Sequence, residues 1–266
     1  MLKMDKQNIV YLSFDVEEFD LPNEYGQKLS PIGQLEYAGI AIDALLPLIE
    51  TLQGYRFTFF VTANFAENFP TKIKRIADLG HEIASHTYFH GNFKDEDLIT
   101  SKKTLENISG QTVEGLRMPK MQLIEAHKIK TAGYSYDASL NPVWLPGRYN
   151  HRNMPRTAFI ENGILHIPSS STPNFRIPLF WLSFKNFPLP IFVKLALQTL
   201  KKDGYLCLYF HPWEFMNLKE FKLPKYISSL DGEKLLSRLK KLIQTLSTKA
   251  VFHSMKEFNK DYKLPI

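Results

Sequence analysis

The chain of 266 residues is 44% hydrophobic, enough to bury the core of one domain spanning 1–266. Thirty-three Lys and Arg stand against 27 Asp and Glu, but they are scattered apart from pairs such as Lys201-Lys202 and Lys240-Lys241, which excludes a nucleic-acid-binding arm. The single cysteine, Cys207, excludes an intrachain disulfide framework, and no run of about 18 uncharged apolar residues marks a membrane span. The short apolar run before Asp15 is too soon interrupted for a signal peptide, so a cytoplasmic protein is expected.

In chain order, the first strand is "IVYLSF" from Ile9, followed by the amphipathic stretch "EYAGIAIDALLPLIETL" from Glu36. Strands follow at "RFTFFV" from Arg56 and "GHEIAS" from Gly80, then a helix at "EDLITSKKTLENI" from Glu96. Further strands are "TVEGLR" from Thr112, "GYSYDAS" from Gly133, "ILHIP" from Ile164 and "YLCLYF" from Tyr205. A helix over 231–247, capped by Asp231, places Leu235, Leu236, Leu239, Leu242, Ile243 and Leu246 on one face, and "AVFHSM" from Ala250 is the last strand. Strand and helix alternate, so the fold class is α/β with a parallel sheet, and about eight strands suggest a closed barrel, regular or distorted.

In such a barrel the carboxyl ends of the strands converge on one mouth. Here those ends carry Asp15-Val16-Glu17, Ser85-His86, Arg117, Asp137 and His211-Pro212-Trp213-Glu214. His86 and His90, four residues apart, can face one metal ion if the chain turns helically after the strand. Asp15 or Glu17, on the same face of the first strand, supplies the carboxylate that completes a two-histidine, one-carboxylate set. The other carboxylate is then free to take a proton from water. That set suits zinc, with cobalt, nickel or iron as alternatives.

The segments "SFDVEEFD", "SHTYFH", "RMP", "GYSYDAS" and "YFHPWEF", in this order, resemble the polysaccharide deacetylases with NodB homology, carbohydrate esterase family four. The resemblance implies a distorted barrel of about seven parallel strands, one divalent metal, and hydrolysis of an acetamide on an amino sugar. It implies Asp15 as general base, Arg117 orienting it, His211 as general acid, and His86 and His90 on the metal. Val16 stands where most members carry a second aspartate; members acting on lipopolysaccharide sugars are more similar, and they place the metal carboxylate at Glu17. Pro119 completes the R-x-P motif, Lys120 replaces its usual aromatic, and Asp137 matches an acid behind the catalytic groups.

Trp213 is a candidate sugar platform, and the loop "LPGRYNHRN" from Leu145 offers Arg148 and Tyr149 to a phosphate or acidic sugar. The apolar segment 175–200 is a buried crossover, a hydrophobic approach to the site, or a membrane-surface contact. The expected partner is an N-acetylated sugar or glycan, lipid-linked in one reading, of a surface polysaccharide or lipopolysaccharide precursor. The alternatives are an allantoinase-like hydrolase of a cyclic amide, which needs a small closed pocket, and a non-catalytic carbohydrate-binding descendant.

Overall fold

The computed structural model describes residues 7–91 and 93–262. Its strands are β1 (Ile9–Val16), β2 (Thr58–Val61), β3 (Glu82–Ser85), β4 (Gly115–Leu116), β5 (Tyr136–Asp137), β6 (Trp144–Leu145), β7 (Tyr149–Asn150), β8 (Phe159–Glu161), β9 (Ile164–His166), β10 (Tyr205–Phe210) and β11 (Val251–Phe252). The main sheet runs β10-β1-β2-β3-β4-β5-β9-β8, with β11 beside the start of β1. From β10 to β9 the seven neighbouring strands are all parallel; only β8 is antiparallel, in a hairpin with β9.

The sheet curls into a distorted barrel rather than a closed one, because β8 turns back on β9 and leaves no ladder to β10. Two bonds bridge that gap instead: Ser170 N donates to Cys207 O at 2.9 Å, and Cys207 N donates to Ser170 Oγ at 2.9 Å. The strand expected from Thr112 shrinks to Gly115–Leu116. At its start the Val113 amide is taken by the Glu106 carboxylate at 3.1 Å, which ties this stretch to the helix Glu96–Ser109. The hairpin β6–β7 forms where the sequence reads as the loop beginning at Leu145, and β8 follows it where no strand is expected.

Alternation along β1 sorts its side chains into two cores. Val10, Leu12, Phe14 and Val16 pack outward against the helices, with Ile42, Leu45 and Ile49 of Pro31–Thr51 and Leu235, Leu239 and Leu242 of Gly232–Ser247. Ile9 and Tyr11 point into the barrel with Phe60, Tyr136, Cys207 and Phe258. Ser13 and Asp15 continue that inner row toward the carboxyl end of the strand, so the side of β1 that fills the barrel at its base supplies chemistry at its mouth.

Helix Pro31–Thr51 is long and apolar enough to cross a bilayer by length and composition. It carries Glu36, Asp43 and Glu50, however, and buries Ala38, Ile42, Leu45 and Ile49 in the core. Asp231 does not cap the helix Gly232–Ser247 with its side chain. Its carboxylate instead accepts from the Leu218 amide at 2.7 Å, drawing the loop after β10 onto the helix start. Segment 175–200 forms the helices Trp181–Asn186 and most of Leu189–Asp203, with Leu179, Phe184, Phe192 and Ala196 buried and Phe175 and Ile191 exposed. It is mainly a buried crossover, and Phe180, Trp181 and Leu182 at its turn line a pocket at the barrel mouth.

Candidate active site

That pocket, about 290 Å³, is lined by Asp15, Glu17, His86, His90 and His211 at its base. Glu17 Oε2 lies 3.1 Å from Nε2 of both His86 and His90. A carbonyl only accepts, so the 2.7 Å bond from His86 Nδ1 to Arg117 O puts a hydrogen on Nδ1 and turns Nε2 toward Glu17. His90 Nδ1 faces Asp20 Oδ2 at 3.0 Å. The second oxygen of Glu17, Oε1, accepts from Trp213 Nε1 at 3.2 Å, which turns Oε2 toward the histidines. Burial would raise the Glu17 carboxyl, but His90, His211 and His86 hold it well below the usual carboxylate range. Burial would lower His90, but Glu17 and Asp20 hold it well above the usual imidazole range.

The two histidines do not come together through a helical turn. The chain bends at Thr87, a buried β-branched residue with φ +64°, and the Ala63 and Asn64 amides hold the loop by donating to Thr87 O and Tyr88 O, each at 3.0 Å. Strained backbone of this kind persists where the surroundings impose it, commonly at functional sites. The rings end 5.7 Å apart.

Asp15 sits beside this cluster but belongs to Arg117, whose Nη1 donates to Asp15 Oδ1 at 2.5 Å and to Ser13 Oγ at 2.9 Å. Arg117 Nε donates to Ala138 O at 3.2 Å, and the guanidinium lies over Phe60, 4.0 Å from the ring centre. Asp137 works one step behind this group. It accepts from the Ser139 amide at 3.1 Å and pairs with His166 at 3.0 Å, while Ser139 Oγ accepts from Met118 N at 2.8 Å, so the loop that cradles Arg117 is held in place.

His211 directs Nε2 into the site, 4.0 Å from both Asp15 Oδ2 and Glu17 Oε1. Its Nδ1 is 3.2 Å from Glu214 Oε1, which also accepts from the His211 amide at 2.7 Å. The three-residue spacing across the 3-10 turn Pro212–Phe215 was the only signal of this pairing in the sequence. Behind Glu214 stands Lys185, its side chain fully buried, with Nζ 3.8 Å from Glu214 Oε2 and facing the Trp181 and Trp213 rings. Burial would lower the His211 imidazole, but Glu17, Glu214 and Asp15 raise it above its ordinary value.

The expected sugar-binding residues divide. Trp213 is buried, stacked on His211 at 4.9 Å and spent on Glu17, so it is no platform; the half-buried Trp181, unmarked by any motif, faces the pocket instead. Pro119 is buried and does not line the pocket, since the 3-10 turn it begins turns Lys120 and Met121 there, both with left-handed backbone (φ +56° and +55°). Tyr149 and Arg148 do line it. At the mouth Glu24 joins Lys120 Nζ at 3.0 Å and Arg148 Nη2 at 2.6 Å. Burial would raise the Glu24 carboxyl, but these two cations hold it below its ordinary value.

Residues 41–136, which include His86, His90 and Arg117 but not Asp15, Glu17 or His211, match the polysaccharide deacetylase family. A peptidoglycan-N-acetylglucosamine deacetylase from Bacillus cereus is 36% identical over 75 residues, covering 26% of this chain and only 27% of that relative's length. The fold is similar to that of a Mycobacterium smegmatis protein assigned to the polysaccharide deacetylases, with a TM-score of 0.66, 17% identity, and 99% and 93% of the two chains covered. It is also similar to the Puue allantoinase, with a TM-score of 0.63, 16% identity, and 97% and 91% covered. A third solved structure, a peptidoglycan N-acetylglucosamine deacetylase, gives 0.53, 20% identity, and 93% and 86% covered. The matched segment is similar to the polysaccharide deacetylase family, and the fold around it is similar to that of these solved structures.

Proposed function

We propose that the protein is a metal-dependent hydrolase that removes the acetyl group from the nitrogen of an amino sugar. The observation that carries this reading is the placement of Asp15, paired with Arg117, and His211, paired with Glu214, on either side of the Glu17, His86 and His90 cluster. The donor atoms of the cluster lie within 4.8 Å of one another. The 3.1 Å separations from Glu17 Oε2 to each imidazole are near the ~3.3 Å expected for tetrahedral ligands on bonds of about 2.0 Å, so the set fits a divalent cation, zinc first among those that take such ligands.

Such a cation supplies Lewis-acid polarisation of the amide carbonyl and lowers the pKa of water. Asp15 takes the proton from the attacking water, and Arg117 holds its carboxylate in place. His211, with Nε2 directed inward and Nδ1 held by Glu214, delivers a proton to the departing nitrogen. Trp213 and the Arg117 carbonyl fix the orientation of Glu17 and His86.

The pocket volume and its aromatic wall of Tyr149, Phe180 and Trp181 suit one sugar ring and its acyl group. They also suit a smaller cyclic amide, which keeps the allantoinase-like reading as the second one. The same proposal extends to a surface-polysaccharide or lipopolysaccharide precursor deacetylated in the cytoplasm. Its lipid-linked form rests on the apolar turn at Phe180–Leu182 and on the exposed Phe175 and Ile191, and cell fractionation tests the location.

The decisive experiment measures metal content and acetate release for the unaltered protein, His86→Ala, Glu17→Ala and Asp15→Asn, with a cyclic ureide as second substrate. Near one metal per chain is expected, lost with turnover in the first two variants. Asp15→Asn is expected to keep the metal and lose about a hundred- to ten-thousandfold in rate. A metal-free protein after loading, or full turnover in Asp15→Asn, defeats the reading; ring opening of the ureide without acetate release transfers it to the second.

A further inference from the structure

Two cations from separate loops meet at the pocket mouth. Lys120 follows β4, and Arg148 sits between β6 and β7. Each takes one oxygen of Glu24: Lys120 Nζ reaches Oε1 at 3.0 Å, and Arg148 Nη2 reaches Oε2 at 2.6 Å. Lys120 also lies 4.0 Å from Asp20 Oδ2, the carboxylate beside His90, so the pair stands one residue away from the reacting centre. Lys120, Arg148, Glu24 and Asp20 all line the same pocket as Asp15 and His211.

Glu24 therefore presents its two oxygens to two cations, the way a phosphate or carboxylate is recognised by a lysine and an arginine acting together. Its hold is weak. The side chains of Lys120 and Arg148 are 43% and 42% exposed and that of Glu24 is 27% exposed, and ion pairs this open to water contribute about 1 kcal/mol or less. Glu24 belongs to a helix of only four residues, Leu21–Glu24, which lacks a side-chain cap. A substrate anion entering the pocket meets two cations whose present partner is easily displaced.

We propose that Lys120 and Arg148 form a subsite for an anionic substituent, phosphate or carboxylate, carried by the substrate next to its acylated amino sugar, and that Glu24 occupies this subsite between turnovers. The proposal rests on the deacetylase reading and names its substrate class.

The test compares acetate release from N-acetylglucosamine, N-acetylglucosamine 1-phosphate and an N-acetylated aminosugar uronic acid, in the unaltered protein, Lys120→Met, Arg148→Met and Glu24→Gln. Binding of the sugar phosphate and of inorganic phosphate is followed by calorimetry in the same samples. At least one anionic sugar is expected to exceed the neutral one in kcat/KM by about tenfold or more, the worth of one charge-assisted hydrogen bond. That ratio should fall toward one in Lys120→Met and Arg148→Met, while Glu24→Gln binds phosphate more tightly. Preference for the phosphate or for the uronic acid identifies which anion the subsite takes. Equal kcat/KM for charged and neutral sugars, or phosphate binding that survives both cation variants, overturns the subsite while leaving the deacetylase reading in place. No acetate from any sugar, together with sugar-phosphate binding that both cation variants abolish, supports the subsite and defeats the deacetylase reading.

Discussion

Arg117 does more at this site than any other single residue. Its side chain binds Asp15, Ser13 and the Ala138 carbonyl, its own carbonyl sets the hydrogen of His86, and it is 1% exposed. Arg117→Met leaves Asp15 buried without its cation, for which a stability loss of about 3 to 5 kcal/mol is expected, together with at least a hundredfold loss of acetate release. Arg117→Lys should recover little of either, because one ammonium cannot reproduce donors at both Nε and Nη1. Denaturant unfolding and turnover measured on both variants check this, and a fully active Arg117→Lys would reduce the guanidinium to a point charge.

Among the elements, β4 shows how a short strand controls what lies around it. Gly115 pairs in register with Tyr136 of β5, and a Cβ on Gly115 would fall 2.0 Å from the Tyr136 ring. That ring is 2% exposed, and its hydroxyl donates to Glu82 at 2.9 Å, so it has no room to retreat. Gly115→Ala is expected to cost about 3 kcal/mol by overpacking, read from the midpoint of chemical denaturation; a cost near zero would show that the barrel interior yields there. β10 is extended by the 3-10 turn Pro212–Phe215, which returns Glu214 to His211 and Trp213 to Glu17, so one turn orients both His211 and Glu17.

At the scale of the whole molecule, the two ends of the barrel have opposite chemistry. The mouth gathers paired charges, while the base closes over one buried carboxylate, Glu82, which accepts from Thr58 Oγ1 at 2.7 Å, Tyr136 Oη at 2.9 Å and the Lys256 amide at 3.0 Å. These bonds tie the C-terminal segment to the barrel floor. Burial outweighs them and pushes the Glu82 carboxyl up from 4.5 to about 7. A carboxyl raised on folding contributes stability that is fully present below its unfolded value and is lost as pH rises through its folded value. The unfolding free energy is therefore expected to fall by about 2 kcal/mol between about pH 5 and 8. Glu82→Gln should flatten that slope, and an unchanged slope in the variant would assign the pH dependence to other groups.

The sequence by itself determined where strands β1 to β5, β9, β10 and β11 lie along the chain, because each is a short apolar run bounded by turn residues. It also marked His86, His90, Asp15, Glu17, Arg117 and His211, since polar residues ending apolar strands converge wherever parallel strands share a mouth. Strand alternation put Asp15 and Glu17 on one face and for that reason left their roles open. Only the tertiary structure separated them: Arg117, 102 residues from Asp15, takes the first, and Trp213, 196 residues from Glu17, turns the second toward the histidines. The same holds for Trp181 at the pocket wall and for Glu24, which joins Lys120 and Arg148 at its mouth. Such contacts join residues far apart in the chain, and local spacing carries no record of which distant loops folding will bring together.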